Sequence, residues 1–203
     1  MVITWTYRIL ISCPGDVHEY FMQTIEAAVA EFNEQMGNKL VQKHFELMYG
    51  HRVSVEILFW RENSHPVFLS GASGQDVINE QLVNVSDATI GLFYTRLGTP
   101  TEKYESGTVE EIEKTLGRGK HVAIIPIVDS VVPTELLGDG SEYAKMKQYL
   151  KKIRSEKRGL INDCAPKDLK RIIMDQFNEI IGQNENIGQN ETGEKYKAIS
   201  LVE

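Results

Sequence analysis

Cysteine is nearly absent from this chain: Cys13 and Cys164 are the only two among 203 residues. They build no disulfide framework and sit in no C-x-x-C pair, so neither a stapled secreted scaffold nor a zinc ribbon is expected. The five histidines, His18, His44, His51, His65 and His121, show no metal-ligand spacing, and no metal is expected. Long apolar runs are missing as well; nothing approaches the ~20 residues that cross a bilayer. Positive charge is in deficit, with 22 Lys and Arg against 29 Asp and Glu and a formal net charge of −7. That balance argues against direct nucleic-acid binding, which needs a basic face for phosphates. The opening MVITWTYRILIS lacks the charged region and small-residue cleavage site of a signal peptide. A cytoplasmic setting without membrane attachment is the expectation.

What is present alternates between short apolar runs and amphipathic helices. Residues 7–12 (YRILIS) read as a buried strand closed by Cys13-Pro14-Gly15-Asp16, and 17–35 as a helix. Residues 53–60 read as a second strand, followed by an irregular stretch over 61–74. A short helix is expected over 76–85, a strand over 89–94 and a helix from Thr108 to Gly117 or Gly119. The run 121–128 (HVAIIPIV) reads as a central strand buried on both faces, with Pro126 weakening pairing at its end. A charged helix over 141–157, a short fifth strand over 159–164 and a helix opened by Pro166 and ending near Ile181 complete the pattern. The tandem IGQNENIGQNETG is polar and low in complexity. The division is therefore an α/β domain over 1–181 and a polar tail or linker start over 182–203, which suggests a piece of a larger protein. Alternating strands and helices predict a three-layer α/β sandwich around a parallel five-stranded sheet. The flavodoxin-like strand order is 2-1-3-4-5.

In such a sheet ligands bind outside the carboxyl ends of the strands, at the switch point between strands one and three. Three loops converge there: 12–16, the segment after Trp60, and 94–111. Each candidate has a plain alternative. Thr108 and Glu111 fit a capping box, with Thr108 at the N-cap. Ser12 to Asp16 can cradle phosphate at a helix N-terminus, or be a simple turn capped by Asp16. Trp60 and Tyr94 can stack on a planar ring or form core edge. Arg96 can grip an anion bidentately, or pair with Glu102 or Glu105.

Residues 12–17, Ser-Cys-Pro-Gly-Asp-Val, resemble the opening of a group of TIR-like bacterial domains. Residues 90–101 (IGLFYTRLGTPT) with 106–113 (SGTVEEIE) resemble the second signature of that group, the domain labelled DUF4062. It is found at the start of larger bacterial defence or signalling ATPases. The likeness runs in order over roughly 7–128; beyond Val128 only the general α/β character matches. More widely the chain resembles TIR domains and nucleoside deoxyribosyltransferases. Those families share this sheet and use a glutamate on the helix after the third strand at an N-glycosidic bond. The transferase pattern G-T-x-x-E falls on Gly107, Thr108 and Glu111, and the TIR pattern on Glu111-Ile112 with Thr115-Leu116. Both choose Glu111.

The resemblance implies an NAD⁺ glycohydrolase that releases nicotinamide, with NAD⁺ or a related nucleotide as substrate rather than cofactor. It also implies activation by self-association. Glu111 would be catalytic; from loop position, Trp60 or Tyr94 would stack the nicotinamide, and Arg96 with the backbone around 14–17 would hold phosphate. Ser12, Pro14, Gly15, Asp16, Ser106 and Thr108 complete the substrate-binding set. The chain departs from the transferases in lacking a second aspartate motif, since Asp87 lies before its strand. From TIR enzymes it departs in showing no recognisable clamp over 61–74. A non-catalytic TIR-like interaction module and a nucleoside deoxyribosyltransferase or nucleotide N-glycosidase remain as alternatives.

Overall fold

The computed structural model describes residues 3–65, 73–129, 141–156 and 161–190, with side chains up to 185. Four strands, β1 (Thr4–Ser12), β2 (Arg52–Leu58), β3 (Ala88–Phe93) and β4 (His121–Pro126), form one sheet in the order β2-β1-β3-β4. All three pairings are parallel, with Leu10 opposite Leu58 and Thr89, and Gly91 opposite Ser12 and Ile124. β3 is buried at every position, as a central parallel strand covered on both faces must be.

The pleat sorts side chains between two helical layers. Tyr7, Ile9 and Ile11 of β1 and Ala88, Ile90 and Leu92 of β3 face one core. That core is closed by α1 (Gly15–Met36) and α7 (Leu169–Asn190) through Val17, Ile25, Phe32, Ile173, Phe177 and Ile180. The intervening residues face the opposite layer. There Phe93 packs with α5 (Gly107–Gly117) and α6 (Glu142–Ser155), while Leu10 and Leu58 pack on Leu82 and Val83. The same alternation turns Ser12 toward α5. Gly91 makes α5's close approach possible: a Cβ there would lie 2.6 Å from Ile112 Cδ1.

The structure corrects the expected pattern at several points. The fifth strand over 159–164 does not form among the described residues, and positions 159 and 160 lie outside them. Only Cys164 bridges, parallel to Ile127, so the described sheet has four strands and the order 2-1-3-4. Its neighbours Asn162 and Asp163 are exposed, and Asp163 is drawn into an ion pair with Arg154, leaving no ladder to extend. β4 ends at Pro126, but the expected weakening of pairing there is not seen: Pro126 stays in register with Phe93, and Ile127 N still donates to Phe93 O. β2 stops at Leu58, and Trp60 instead opens a short helix, α3 (Trp60–Asn63). Of the expected irregular stretch over 61–74, positions 66–72 lie outside the described residues.

The helix expected over 76–85 begins earlier, at α4 (Gly74–Ile78), with Ser73 and Asp76 forming a capping box. It then widens into a π turn, Asn79–Val83. A further helix, α2 (Lys39–Tyr49), was not expected at all. Asn38 caps it by accepting from Leu40 N, and Gly50 ends it in the left-handed region at φ 79°. The last helix runs past Ile181 to Asn190. Glu185 is buried there, accepting from the Tyr7 hydroxyl, with His51 Nε2 3.1 Å from its Oε1. The remainder of the expected tail, 191–203, lies outside the described residues.

Candidate functional site

The carboxyl ends of β1 and β3 splay around a cleft of about 660 Å³, a size that suits a nucleotide-class small molecule. Its walls come from five separated segments: Cys13, Pro14 and Gly15 after β1, Trp60 after β2, Gln75 and Ile78 of α4, positions between 96 and 111, and Glu142 of α6. Gly98, in the left-handed region at φ 105°, turns its own segment so that it packs on Pro14 and Ser106.

Glu111 lies at the floor. The capping-box expectation placed it at N3 behind Thr108, and the structure overturns this. Ser106 is the N-cap, its hydroxyl accepting from Val109 N at 3.2 Å, so the helix begins two residues earlier than expected. Glu111 is therefore left free of capping. Its side chain is buried, with Oε2 receiving the Ser12 hydroxyl at 2.5 Å and Oε1 receiving Gln75 Nε2 at 3.1 Å. Burial pushes its carboxyl above the ordinary glutamate range. The Ser12 and Gln75 hydrogen bonds work against that rise, and neighbouring Glu110 adds to it. A carboxyl so placed can hold or release a proton nearer neutrality than an exposed glutamate.

Glu110 has the opposite fate. Burial opposes its charge, but hydrogen bonds from Lys114, Thr101 and Asn79 outweigh that and hold it below the usual range. Lys114 Nζ is 2.8 Å and Asn79 Nδ2 2.9 Å from its Oε1. Two adjacent glutamates thus have their proton affinities driven apart, a pattern that separates working from structural carboxylates. Cys13, at the cleft wall, has its thiol pushed up by burial and by the Glu111 and Asp16 charges, so it is a neutral thiol and no nucleophile.

Pro14, Gly15, Trp60, Arg96, Thr108 and Glu111 all line the cleft. Ser12 and Ser106 lie buried beneath it, one holding Glu111 and the other capping α5. Asp16 does not cap α1, whose N-cap is Pro14. Its Oδ2 accepts from Thr95 N and Thr95 Oγ1, both at 2.8 Å, and so ties the loop after β1 to the loop after β3. Tyr94 is not brought to the cleft. Its ring packs edge-on against Phe21 and Tyr20 of α1, beside Ile127 and Val128.

Trp60 is about a third exposed, with the Arg61 guanidinium 5.2 Å from its ring centroid. Arg96 is exposed, and among the described residues no carboxylate pairs with it; Glu105 goes instead to Lys152. Gln75 and Asn79 were missed by sequence reasoning. The signal was there, since Ser73 with Asp76 three positions later marks a helix start that puts Gln75 in its first turn. Among the described residues no cluster suited to a metal ion is found. No described helix is long and apolar enough to cross a membrane.

No family model matches the chain, and no curated protein matches it significantly. Solved structures similar to it include the RPS4 and RRS1 TIR domain heterodimer, at 11% identity and TM-score 0.42. That match covers 87% of this chain and 99% of that one. Translation elongation factor SelB from Methanococcus maripaludis, in complex with the GTP analogue GppNHp, matches at 13% identity and TM-score 0.42 over 89% of this chain and 35% of that one. A 2-desoxiribosyltransferase from Leishmania mexicana matches at 14% identity and TM-score 0.29 over 60% of this chain and 65% of that one. Values this low assign neither family nor activity.

Proposed function

We propose that this chain is a TIR-like domain that hydrolyses the N-glycosidic bond of NAD⁺ and releases nicotinamide. In this reading it is the effector of a bacterial defence or signalling protein, active when self-associated. The observation that carries the reading is Glu111: a buried carboxyl at the floor of a cleft on the sheet's carboxyl edge, held by Ser12 and Gln75 rather than spent as a cap. The two motif strings around residues 12–17 and 90–113 add the resemblance.

The chemistry suits a single carboxylate. Breaking the C1′–N bond returns an electron pair to the nicotinamide nitrogen, cancelling its positive charge, so the leaving group needs no acid. The ribose is left oxocarbenium-like, and an adjacent anion stabilises it. Water then bonds to C1′ and loses a proton, which Glu111, with its raised proton affinity, is suited to take. Trp60 offers a ring face for the nicotinamide. Arg96 and the first amides of α1 offer partners for phosphate.

The test is nicotinamide release from NAD⁺, followed by chromatography at low and high protein concentration, for wild type beside Glu111→Ala. Cleavage that rises steeply with concentration and falls at least about a hundredfold in the variant is expected. Undiminished cleavage by the variant, or none by a wild type that self-associates, would overturn the proposal. The pH profile separates the alternative nucleoside reading. A rate rising with pH through the Glu111 titration marks the carboxylate as the working form. A rate falling with pH marks a protonated acid, as a poorer leaving base requires.

A further inference from the structure

We propose that Gln75 is a positioning residue for Glu111, its amide aimed by a hydrogen-bonded chain that runs through Asn79 and Glu110 to Lys114. Each link has one workable direction. Lys114 and the Asn79 amide nitrogen both donate to Glu110 Oε1, so Asn79 must turn its oxygen the other way. That oxygen lies 3.4 Å from Gln75 Nε2, which also donates to Glu111 Oε1 at 3.1 Å. Turning the Gln75 amide over would set its oxygen against two acceptors at once. The ion pair thus dictates that Glu111 meets an N–H donor, which favours its carboxylate form.

The backbone is shaped for this arrangement. Gln75 and Asn79, one helical turn apart, face α5, and the π turn begins at Asn79 with Asn84 N bonded to Asn79 O at 3.0 Å. Beyond it, Leu82 and Val83 pack onto Leu10 and Leu58. Such turns insert one extra residue and recur at functional sites. Gly107 leaves room for the amide: a Cβ there would stand 2.5 Å from Gln75 Oε1. Among the described residues, the other titratable or charged groups around Glu111 are Cys13, a neutral thiol, Glu110, fixed as an anion by Lys114, and Arg96 and Glu142, which line the same cleft.

The test is the pH titration of the Glu111 carboxyl carbon by ¹³C NMR, the resonance being identified by its loss in Glu111→Gln. Gln75→Met removes the donor at similar size, and Asn79→Leu leaves Gln75 in place but frees its amide to turn. Both are expected to raise the proton-binding constant of Glu111, by roughly tenfold for the lost donor. An unchanged titration in folded Gln75→Met would overturn the proposal. A rise in Gln75→Met with none in Asn79→Leu would overturn the chain behind it. Should either variant fail to fold, the other decides. The inference rests on Glu111 being the working group of the proposed function, yet the titration reads Glu111 directly. A protein that cleaves no NAD⁺ would sink the proposed function and leave this result standing.

Discussion

Glu111 has its ionised form disfavoured by the fold, and the sign of that effect on stability follows. The folded carboxyl binds its proton more tightly than the unfolded one. Below the ordinary glutamate value of about 4.3 both states are protonated and nothing is lost. As pH rises from there through the folded value, the unfolded chain releases its proton first, and stability falls. Glu111→Gln keeps the shape without the charge. It should melt measurably higher than wild type at neutral pH. The advantage should vanish near pH 4. Thermal unfolding of both proteins across that range checks it; a variant less stable at pH 7 would show that the charge is welcome where it sits. That Glu111 lies on the helix after β3 was legible from its spacing. Its partners Ser12 and Gln75 were not, because they come from distant segments that only the folded sheet brings together.

At the scale of elements, the close contact between β3 and α5 fixes the helix that carries Glu111. Gly91→Ala would drive a methyl into Ile112, which is fully buried and must shift against packed neighbours. A cost of about 1–3 kcal/mol is expected in chemical denaturation. Adding Ile112→Val, which removes the obstructing Cδ1, should recover part of it; strictly additive losses would mean that the two side chains do not meet. Strands β1, β3 and β4 were readable because continuous apolar runs have few other homes. α2 was not, because its apolar residues do not share one buried stripe: Leu40, Leu47 and Met48 are exposed. The end of α7 was misjudged for a related reason. A polar repeat looks like a tail until Tyr7 and His51 provide buried partners for Glu185. Of the fifth strand, the described residues show one bridging residue, Cys164, after the exposed Asn162 and Asp163, too little for a ladder.

For the whole molecule, the sheet separates two polar centres. Glu185, Tyr7 and His51 gather toward the amino ends of β1 and β2, while the cleft opens at the carboxyl ends. Glu185→Leu should therefore destabilise the protein by about 1–3 kcal/mol, since it takes an acceptor from a buried hydroxyl. Ligand binding in the cleft should be unchanged, as calorimetry with NAD⁺ on the Glu185→Leu protein would check. A matching loss of affinity would mean that the two ends are coupled through the sheet. The sequence separation of 99 from Ser12 to Glu111 matters in another way. Their hydrogen bond closes only when β1 and β3 lie side by side, which closes the long loop of chain between them. Contacts of such long sequence separation are entropically costly and form slowly. In refolding, the Ser12–Glu111 bond should therefore act as a clock for one event, the pairing of β1 with β3 beneath α5.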